Sequence, residues 1–129
     1  MDVFHLAGRD IEPLDSANFT GSGTLVRMTS VSASPAVNAY RVSFEAGTRT
    51  AWHTHSGTQL LLVTEGTCRC QKAGEPVREV AAGGIVAIAA SERHWHGATP
   101  EAPMTHVALN IEASTTWFEK VSDEEYGGS

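Results

Sequence analysis

The sequence has no long apolar run, no cluster of basic residues and no repeated or low-complexity segment. No stretch approaches the ~18 consecutive apolar residues of a membrane-spanning helix. The first residues, Met-Asp-Val-Phe-His, lack the basic start and apolar core of a signal peptide. The formal net charge is −6 and Lys and Arg are scattered, which argues against nucleic acid and membranes as partners. These absences predict a cytoplasmic globular protein.

Cysteine is also scarce, with only Cys68 and Cys70 in the chain. On a strand these two side chains point to the same face, and a disulfide between residues so close in sequence would be strained. A zinc site normally has more ligands nearby. We therefore expect two free thiols on one strand, with a soft-metal or redox site as the alternative.

Short β-rich runs separated by turn residues follow one another from Thr24 onward. Tyr40, Val42 and Phe44 alternate with polar neighbours, a pattern typical of a half-buried strand. Strands are predicted at residues 24–31, 37–44, 60–63, 67–72, 77–80, 85–89 and 105–111. Strands of this length and spacing predict an all-β sandwich or barrel.

The length of 129 residues favours one domain with a buried core. We assign residues 1–23 to an N-terminal lead-in with one edge strand, and residues 24–126 to the β-barrel domain. The wholly apolar run 60–63 predicts a strand buried on both faces. Residues 117–126 are predicted to end the domain as a short helix, with Ser122 as its N-cap.

Five of the six histidines are clustered: His53 with His55, His94 with His96, and His106 a little further on. Two histidines separated by one residue on an extended chain point to the same side. This grouping predicts a metal site to which both clusters contribute. The alternative for His53 and His55 is a pair of surface histidines in a loop.

The spacing of glycines and histidines resembles the first motif of the cupin family. The matching residues are Gly47, His53, His55, Gln59 and Gly66, with Gln59 where cupins usually have Glu. His94 falls where the second cupin motif has its histidine. The chain departs from that second motif at Ala89, Ser91 and Ala98, where Pro, Gly and Asn are usual.

A closer resemblance links the chain to the small bacterial manganese cupins that act as hydroxynitrile lyases. It is carried by residues 50–55, Gln59, residues 94–98, residues 104–106 and the ending 117–126. It implies a single-domain cupin barrel (a double-stranded β-helix or jelly roll) that forms homodimers or homotetramers. It also implies a divalent metal, manganese first with iron, zinc, nickel and cobalt as alternatives, on the ligands His53, His55, Gln59 and His94.

The same resemblance places Tyr40, Val42, Thr50 and Asn110 around a substrate pocket. Side-chain alternation puts His106 on one face with Ala108 and Asn110, which fits a wet pocket better than a core. His106 and His96 are the candidate catalytic residues. The alternative for both is a buried histidine satisfied by a backbone carbonyl.

Replacing the usual Glu by Gln59 has a chemical consequence. Three neutral imidazoles and a neutral amide leave the full charge on a divalent metal, which should polarise bound oxygen more strongly. Gln59 cannot act as a general base, so His106 is expected to take that role.

Three functions remain open at this stage. The first is hydroxynitrile lyase chemistry, in which a cyanohydrin is cleaved to cyanide and an aldehyde or ketone, or formed in reverse. The second is dioxygenase chemistry on a small organic substrate, since three histidines and one further ligand leave open positions. The third is a cupin that binds a small metabolite without turnover.

Overall fold

The computed structural model describes residues 1–128 and consists of two antiparallel sheets and one short helix. Its strands, numbered along the chain, are β1 (Ile11–Pro13), β2 (Phe19–Thr20), β3 (Gly23–Ala33), β4 (Ala36–Phe44), β5 (Arg49–Thr50), β6 (His53–His55), β7 (Thr58–Glu65), β8 (Thr67–Lys72), β9 (Arg78–Ala81), β10 (Ile85–Ile88), β11 (His94–Gly97), β12 (Met104–Ile111) and β13 (Thr115–Trp117). The helix α1 spans Asp123–Tyr126. The predicted all-β class with a short C-terminal helix is confirmed.

The six-stranded sheet has the order β1-β3-β4-β12-β7-β10, so its centre combines strands from distant parts of the chain. In the seven-stranded sheet the order β13-β6-β11-β5-β2 is extended by β8, which pairs with β11, and by β9, which pairs with β8. Non-consecutive neighbours of this kind are typical of a jelly-roll barrel.

The main core lies between the two sheets. Phe44, Val63 and Met104 of the six-stranded sheet pack against Cys68 of the other sheet and against Ala98, which follows β11. In β4 the alternation predicted from the sequence is present, because Val42 and Phe44 are buried and Arg41 is exposed. Cys68 and Cys70 are free thiols on β8, as expected.

Strand burial differs from the sequence prediction in two places. Within the apolar run 60–63 of β7, Leu61 and Val63 are buried, whereas Leu60 and Leu62 on the opposite face are half-buried. Ile85 is 63% exposed although the predicted strand 85–89 is apolar throughout. The reason is that β10 forms the edge of its sheet, where fewer neighbours cover a side chain.

Strands near both ends of the described chain pair with strands of the two sheets. The lead-in supplies two strands where one was expected: β1 pairs with β3, and β2 pairs with β5. The C-terminal helix is shorter than predicted, because Trp117 lies in β13, opposite His53 of β6.

Ser122 caps α1 as predicted, through a capping box in which its hydroxyl accepts from Glu125 N and the Glu125 carboxylate accepts from Ser122 N. Within residues 1–128, no helix has the length and apolar character needed to cross a membrane.

Candidate metal centre

The two histidine clusters meet on neighbouring strands of the seven-stranded sheet. His53 of β6 lies directly opposite His94 of β11, and their ring centroids are 4.1 Å apart. His55 completes the group, with its ring centroid 5.0 Å from that of His53 and 5.3 Å from that of His94. All three residues are buried, which contradicts the alternative of surface histidines in a loop.

Gln59 approaches this group from the opposite sheet. Its side chain is buried, and Nε2 donates a hydrogen bond of 2.8 Å to Asn110 Oδ1 on the paired strand β12. This bond turns Oε1 the other way, and Oε1 has no hydrogen-bond partner within residues 1–128. The amide thus presents a free oxygen, the atom of this side chain that can coordinate a metal.

Each of the three histidines is held by its Nδ1 atom. His53 Nδ1–H donates to Ala51 O at 2.9 Å and His94 Nδ1–H donates to Glu92 O at 2.8 Å. His55 Nδ1 lies 3.0 Å from the hydroxyl of Thr115. Such bonds fix the ring and leave the Nε2 lone pair for a metal.

The remaining ring nitrogens fit that interpretation. The Nε2 atoms of His55 and His94 are buried and lack a hydrogen-bond partner in the described part of the chain. A buried polar atom without a partner is costly, and a metal ion would remove that cost. Three imidazole nitrogens and one amide oxygen therefore fit a divalent ion on chemical grounds.

Burial also keeps these imidazoles neutral. It is the main cause that lowers the pKa of His53 well below its usual value, and the neighbouring His94 adds to the effect. Burial likewise lowers the pKa of His94 to about 4 and lowers that of His55. Only a neutral imidazole can bind a metal, so the site is prepared for a ligand role near neutral pH.

His96 and His106 form a second buried pair beside the first group. His106 Nε2 lies 3.0 Å from His96 Nδ1, so the two rings hydrogen-bond to each other, and neither is bonded to a backbone carbonyl within residues 1–128. His96 Nε2 and His106 Nδ1 have no further hydrogen-bond partner among residues 1–128. Burial lowers the pKa of His106 to about 4 and that of His96 well below its usual value, the latter with a contribution from His106.

His96 is also close to the expected ligands. One ring nitrogen each of His53, His94 and His96 lie within 4.8 Å of one another. The expected ligand His55 is outside this group of three, although its ring is adjacent. The structure thus brings all four expected ligands to one region and adds His96 to it.

Three of the four expected ligands, His53, His55 and Gln59, line a cavity of about 340 Å³, and His94 is not part of its wall. The expected pocket residues Tyr40, Val42, Thr50 and Asn110 are all in its wall, as are His96 and His106. Thr50 is already engaged, because its hydroxyl accepts from the backbone N–H of His96. The common face of His106, Ala108 and Asn110 inferred from the sequence is confirmed, since all three line the cavity.

The lead-in contributes one wall of the cavity, which the sequence did not indicate. Its residues Leu14 and Phe19 line the cavity, and Phe19 stacks between Phe44 and Trp117 at centroid distances of 6.1 and 6.0 Å. Trp117 in turn lies 4.7 Å from the ring of His53. No local pattern could reveal these contacts, because they depend on the pairing of β2 with β5 and of β13 with β6.

An ion pair stands at the rim of this cavity. Arg27 binds the carboxylate of Glu12 at 3.1 and 3.3 Å and lies over the ring of Tyr40 at 5.5 Å. By contrast, Trp52 and Trp95 pack in a separate core cluster with Tyr126.

A buried histidine cluster between the sheets of a small jelly roll defines the class of this protein. The chain belongs to the cupin family, whose domain (described as "Cupin domain") matches residues 40–110. It is 44% identical over 88 residues to an (R)-mandelonitrile lyase from Granulicella tundricola, a match covering 66% of this chain and 67% of that protein.

Solved structures support the same fold. A cupin-like protein from Thermotoga maritima has a TM-score of 0.83 and 32% identity, with 98% of this chain and 95% of that chain covered. A proposed acetylacetone dioxygenase from Methylibium petroleiphilum has a TM-score of 0.72 and 20% identity, with coverage of 92% and 81%. The second likeness concerns the fold alone.

Proposed function

We propose that this cupin is a metal-dependent carbon–carbon lyase that cleaves cyanohydrins to cyanide and an aldehyde or ketone, and forms them in reverse. The observation that carries the proposal is the hydrogen-bonded pair His96–His106, which lines the same cavity as the candidate ligands His53, His55 and Gln59. The identity to a mandelonitrile lyase supports it, since the matched relative is named for this reaction.

The proposed ligands are His53, His55, Gln59 and His94. When bound there, a divalent ion, manganese first with iron, zinc, nickel and cobalt as alternatives, would act as a Lewis acid that lowers the pKa of a substrate hydroxyl. Gln59 contributes an oxygen without charge and cannot accept the hydroxyl proton. Asn110 keeps that oxygen directed inward by holding the amide nitrogen.

The imidazole pair supplies the base. Because burial lowers both pKa values, His96 and His106 are neutral before the reaction and one free lone pair can accept a proton. The hydroxyl proton moves to this pair, the bond to the nitrile carbon breaks with its electrons on cyanide, and the proton is then returned to cyanide. A low imidazole pKa favours that return, because a protonated imidazole of low pKa gives up its proton readily.

The rest of the cavity holds the remaining part of the substrate. Tyr40 and Val42 provide a wall opposite the aromatic surface of Phe19 and Trp117. This apolar part of the wall suits the hydrocarbon part of a neutral organic molecule. We infer that the aldehyde- or ketone-derived part of the cyanohydrin lies against this surface.

A direct assay tests the function. The manganese-loaded protein should cleave mandelonitrile, and His106→Ala should lower kcat by about 10²–10⁴-fold, the usual contribution of a general base. His5→Ala, which removes an exposed histidine of the lead-in, is the matched control and should be unchanged. Equal rates for the protein and His106→Ala would refute the proposal. Oxygen uptake by the iron-loaded protein would favour a dioxygenase instead, and metal binding with neither activity would favour a binding protein.

We also propose association of the chain into homodimers or homotetramers through the edge of the six-stranded sheet. The edge strand β1 leaves backbone groups unpaired on its outer side, and its Ile11 is 67% exposed. An exposed edge with an apolar side chain favours pairing with a second copy.

A further inference from the structure

His96 shares the hydrogen-bonding pattern of the expected metal ligands. His53 and His94 donate through Nδ1 to backbone carbonyls, and His55 Nδ1 meets the Thr115 hydroxyl. His96 repeats the pattern, with Nδ1 held by His106 and Nε2 buried without a hydrogen-bond partner in the described chain. Its ring is therefore prepared for coordination in the same way as the other three.

His96 is also close enough to the same point. Ring nitrogens of His53, His94 and His96 lie within 4.8 Å of one another. Two nitrogens on one ion with bonds of about 2.1 Å are at most ~4.2 Å apart, so shifts of a fraction of an ångström bring them into range. The His96 ring lies 5.3 Å from His53 and 5.7 Å from His94, little more than the distances of His55 from the same two rings.

We propose that His96 Nε2 is a fifth protein ligand of the metal while no substrate is bound, beside His53, His55, Gln59 and His94. This inference rests on the proposed metal centre and not on the lyase reaction. The lone pair of His96 Nε2 cannot bind a metal and accept the substrate proton at the same time. The ligand role of His96 therefore applies only to the substrate-free protein. With five protein donors, a six-coordinate ion has a single position left for solvent.

The proposal fixes the tautomer of the pair. A coordinating His96 Nε2 carries no proton, so Nδ1–H must donate and His106 Nε2 must accept. The opposite tautomer would place a proton on His96 Nε2 and make that atom a donor. His106 is thus a positioning residue for the metal in the substrate-free protein.

The decisive experiment counts coordinated histidines in the unaltered chain. The protein is labelled with ¹⁵N-histidine and loaded with one equivalent of ¹¹³Cd²⁺, whose nuclear spin couples directly to a bound nitrogen. Four coupled histidines are expected, with His5 and His106 as the two uncoupled ones. Three coupled histidines would overturn the role of His96, and none would overturn the metal centre itself. Both results are independent of catalysis.

A variant gives the second readout. His96→Gln should weaken Mn²⁺ binding about tenfold or more in a chelator competition, whereas the control His5→Gln should bind as the unaltered protein does. His106→Leu, which removes the acceptor for His96 Nδ1–H, should weaken binding by a smaller factor. Unchanged affinity in a folded His96→Gln would contradict the proposal. If His96→Gln fails to fold, the isotope count decides alone.

Discussion

Gln59 and Asn110 face each other on the paired strands β7 and β12, and the Gln59 amide nitrogen donates to Asn110 Oδ1 over 2.8 Å. This bond decides which end of the Gln59 amide points to the histidines. An amide has an oxygen that can coordinate a metal and a nitrogen that cannot, so its orientation matters for the site. Asn110 therefore acts on the proposed metal centre without contacting it.

Replacing Asn110 by leucine should weaken metal binding. Asn110→Leu removes the acceptor for Gln59 Nε2, so the amide loses its fixed orientation, and a loss of about 10–100-fold in affinity is expected for such a supporting residue. Asn110→Asp keeps an acceptor and should retain the affinity. The measurement is Mn²⁺ binding in competition with a chelator, and equal weakening in both variants would contradict the orienting role.

Replacing Gln59 by the Glu that most cupins have should change metal affinity and the catalytic rate in opposite directions. Gln59→Glu adds a negative charge to the proposed ligand set, so it should bind the metal more tightly. The same charge should make the bound ion a weaker Lewis acid, and the rate of cyanohydrin cleavage should fall. Metal affinity and kcat are measured on the same preparation. A variant that is both tighter and faster would show that the neutral amide is not an advantage.

The raised pKa of Tyr126 predicts how the free energy of unfolding changes at high pH. Burial raises the pKa of its phenol, with Arg69 and Arg49 opposing the shift, and its hydroxyl donates to Ala98 O. Above pH ~10 the unfolded phenol loses its proton before the folded one does, so stability contributed by Tyr126 is lost as pH rises through the folded pKa.

Chemical denaturation at several alkaline pH values checks this dependence. Tyr126→Phe should be less stable than the unaltered chain by about 1 kcal/mol at pH ~8, because it lacks one hydrogen bond. The difference should shrink or reverse at pH ~11. A constant difference between the chain and Tyr126→Phe would refute the assignment.

Leu61, on the buried face of β7, should be a major contributor to stability. It is 0% exposed and packs with Ile88 and Ala108 in a small core cluster. Leu61→Ala should lower the free energy of unfolding by about 2–5 kcal/mol, the usual range for a buried leucine. Leu62→Ala, on the half-buried face of the same strand, is the control and should cost less. Thermal or urea unfolding measures both, and equal losses would contradict the burial pattern.

A charge placed on the edge strand β1 tests the proposed association of two copies of the chain. Ile11→Lys places a positive charge on the outer side of β1, where a second copy would have to pair, and should shift the mass in light scattering toward that of the monomer. Ile85→Lys changes the other edge strand, β10, of the same sheet and serves as the comparison. If Ile11→Lys leaves the mass unchanged and Ile85→Lys lowers it, the interface lies at the opposite edge.

The sequence by itself determined the class of fold and the elements of the site. Period-two alternation and turn residues are local, so they locate strands such as β4 and β12 and place His106, Ala108 and Asn110 on one face. The motif spacing identified the cupin family, and the clustering of histidines pointed to one site. These properties depend on neighbours in the chain, and no long-range information was needed to find them.

Only the tertiary structure decided which side chains meet. The His96–His106 hydrogen bond joins a strand from each sheet, and Phe19 reaches the cavity only because β2 pairs with β5. Trp117 belongs to a strand and not to the predicted helix because β6 offers it a partner edge beside His53. Strand order and register set these contacts, and neither is encoded in a local pattern, since sheet neighbours are chosen by long-range pairing.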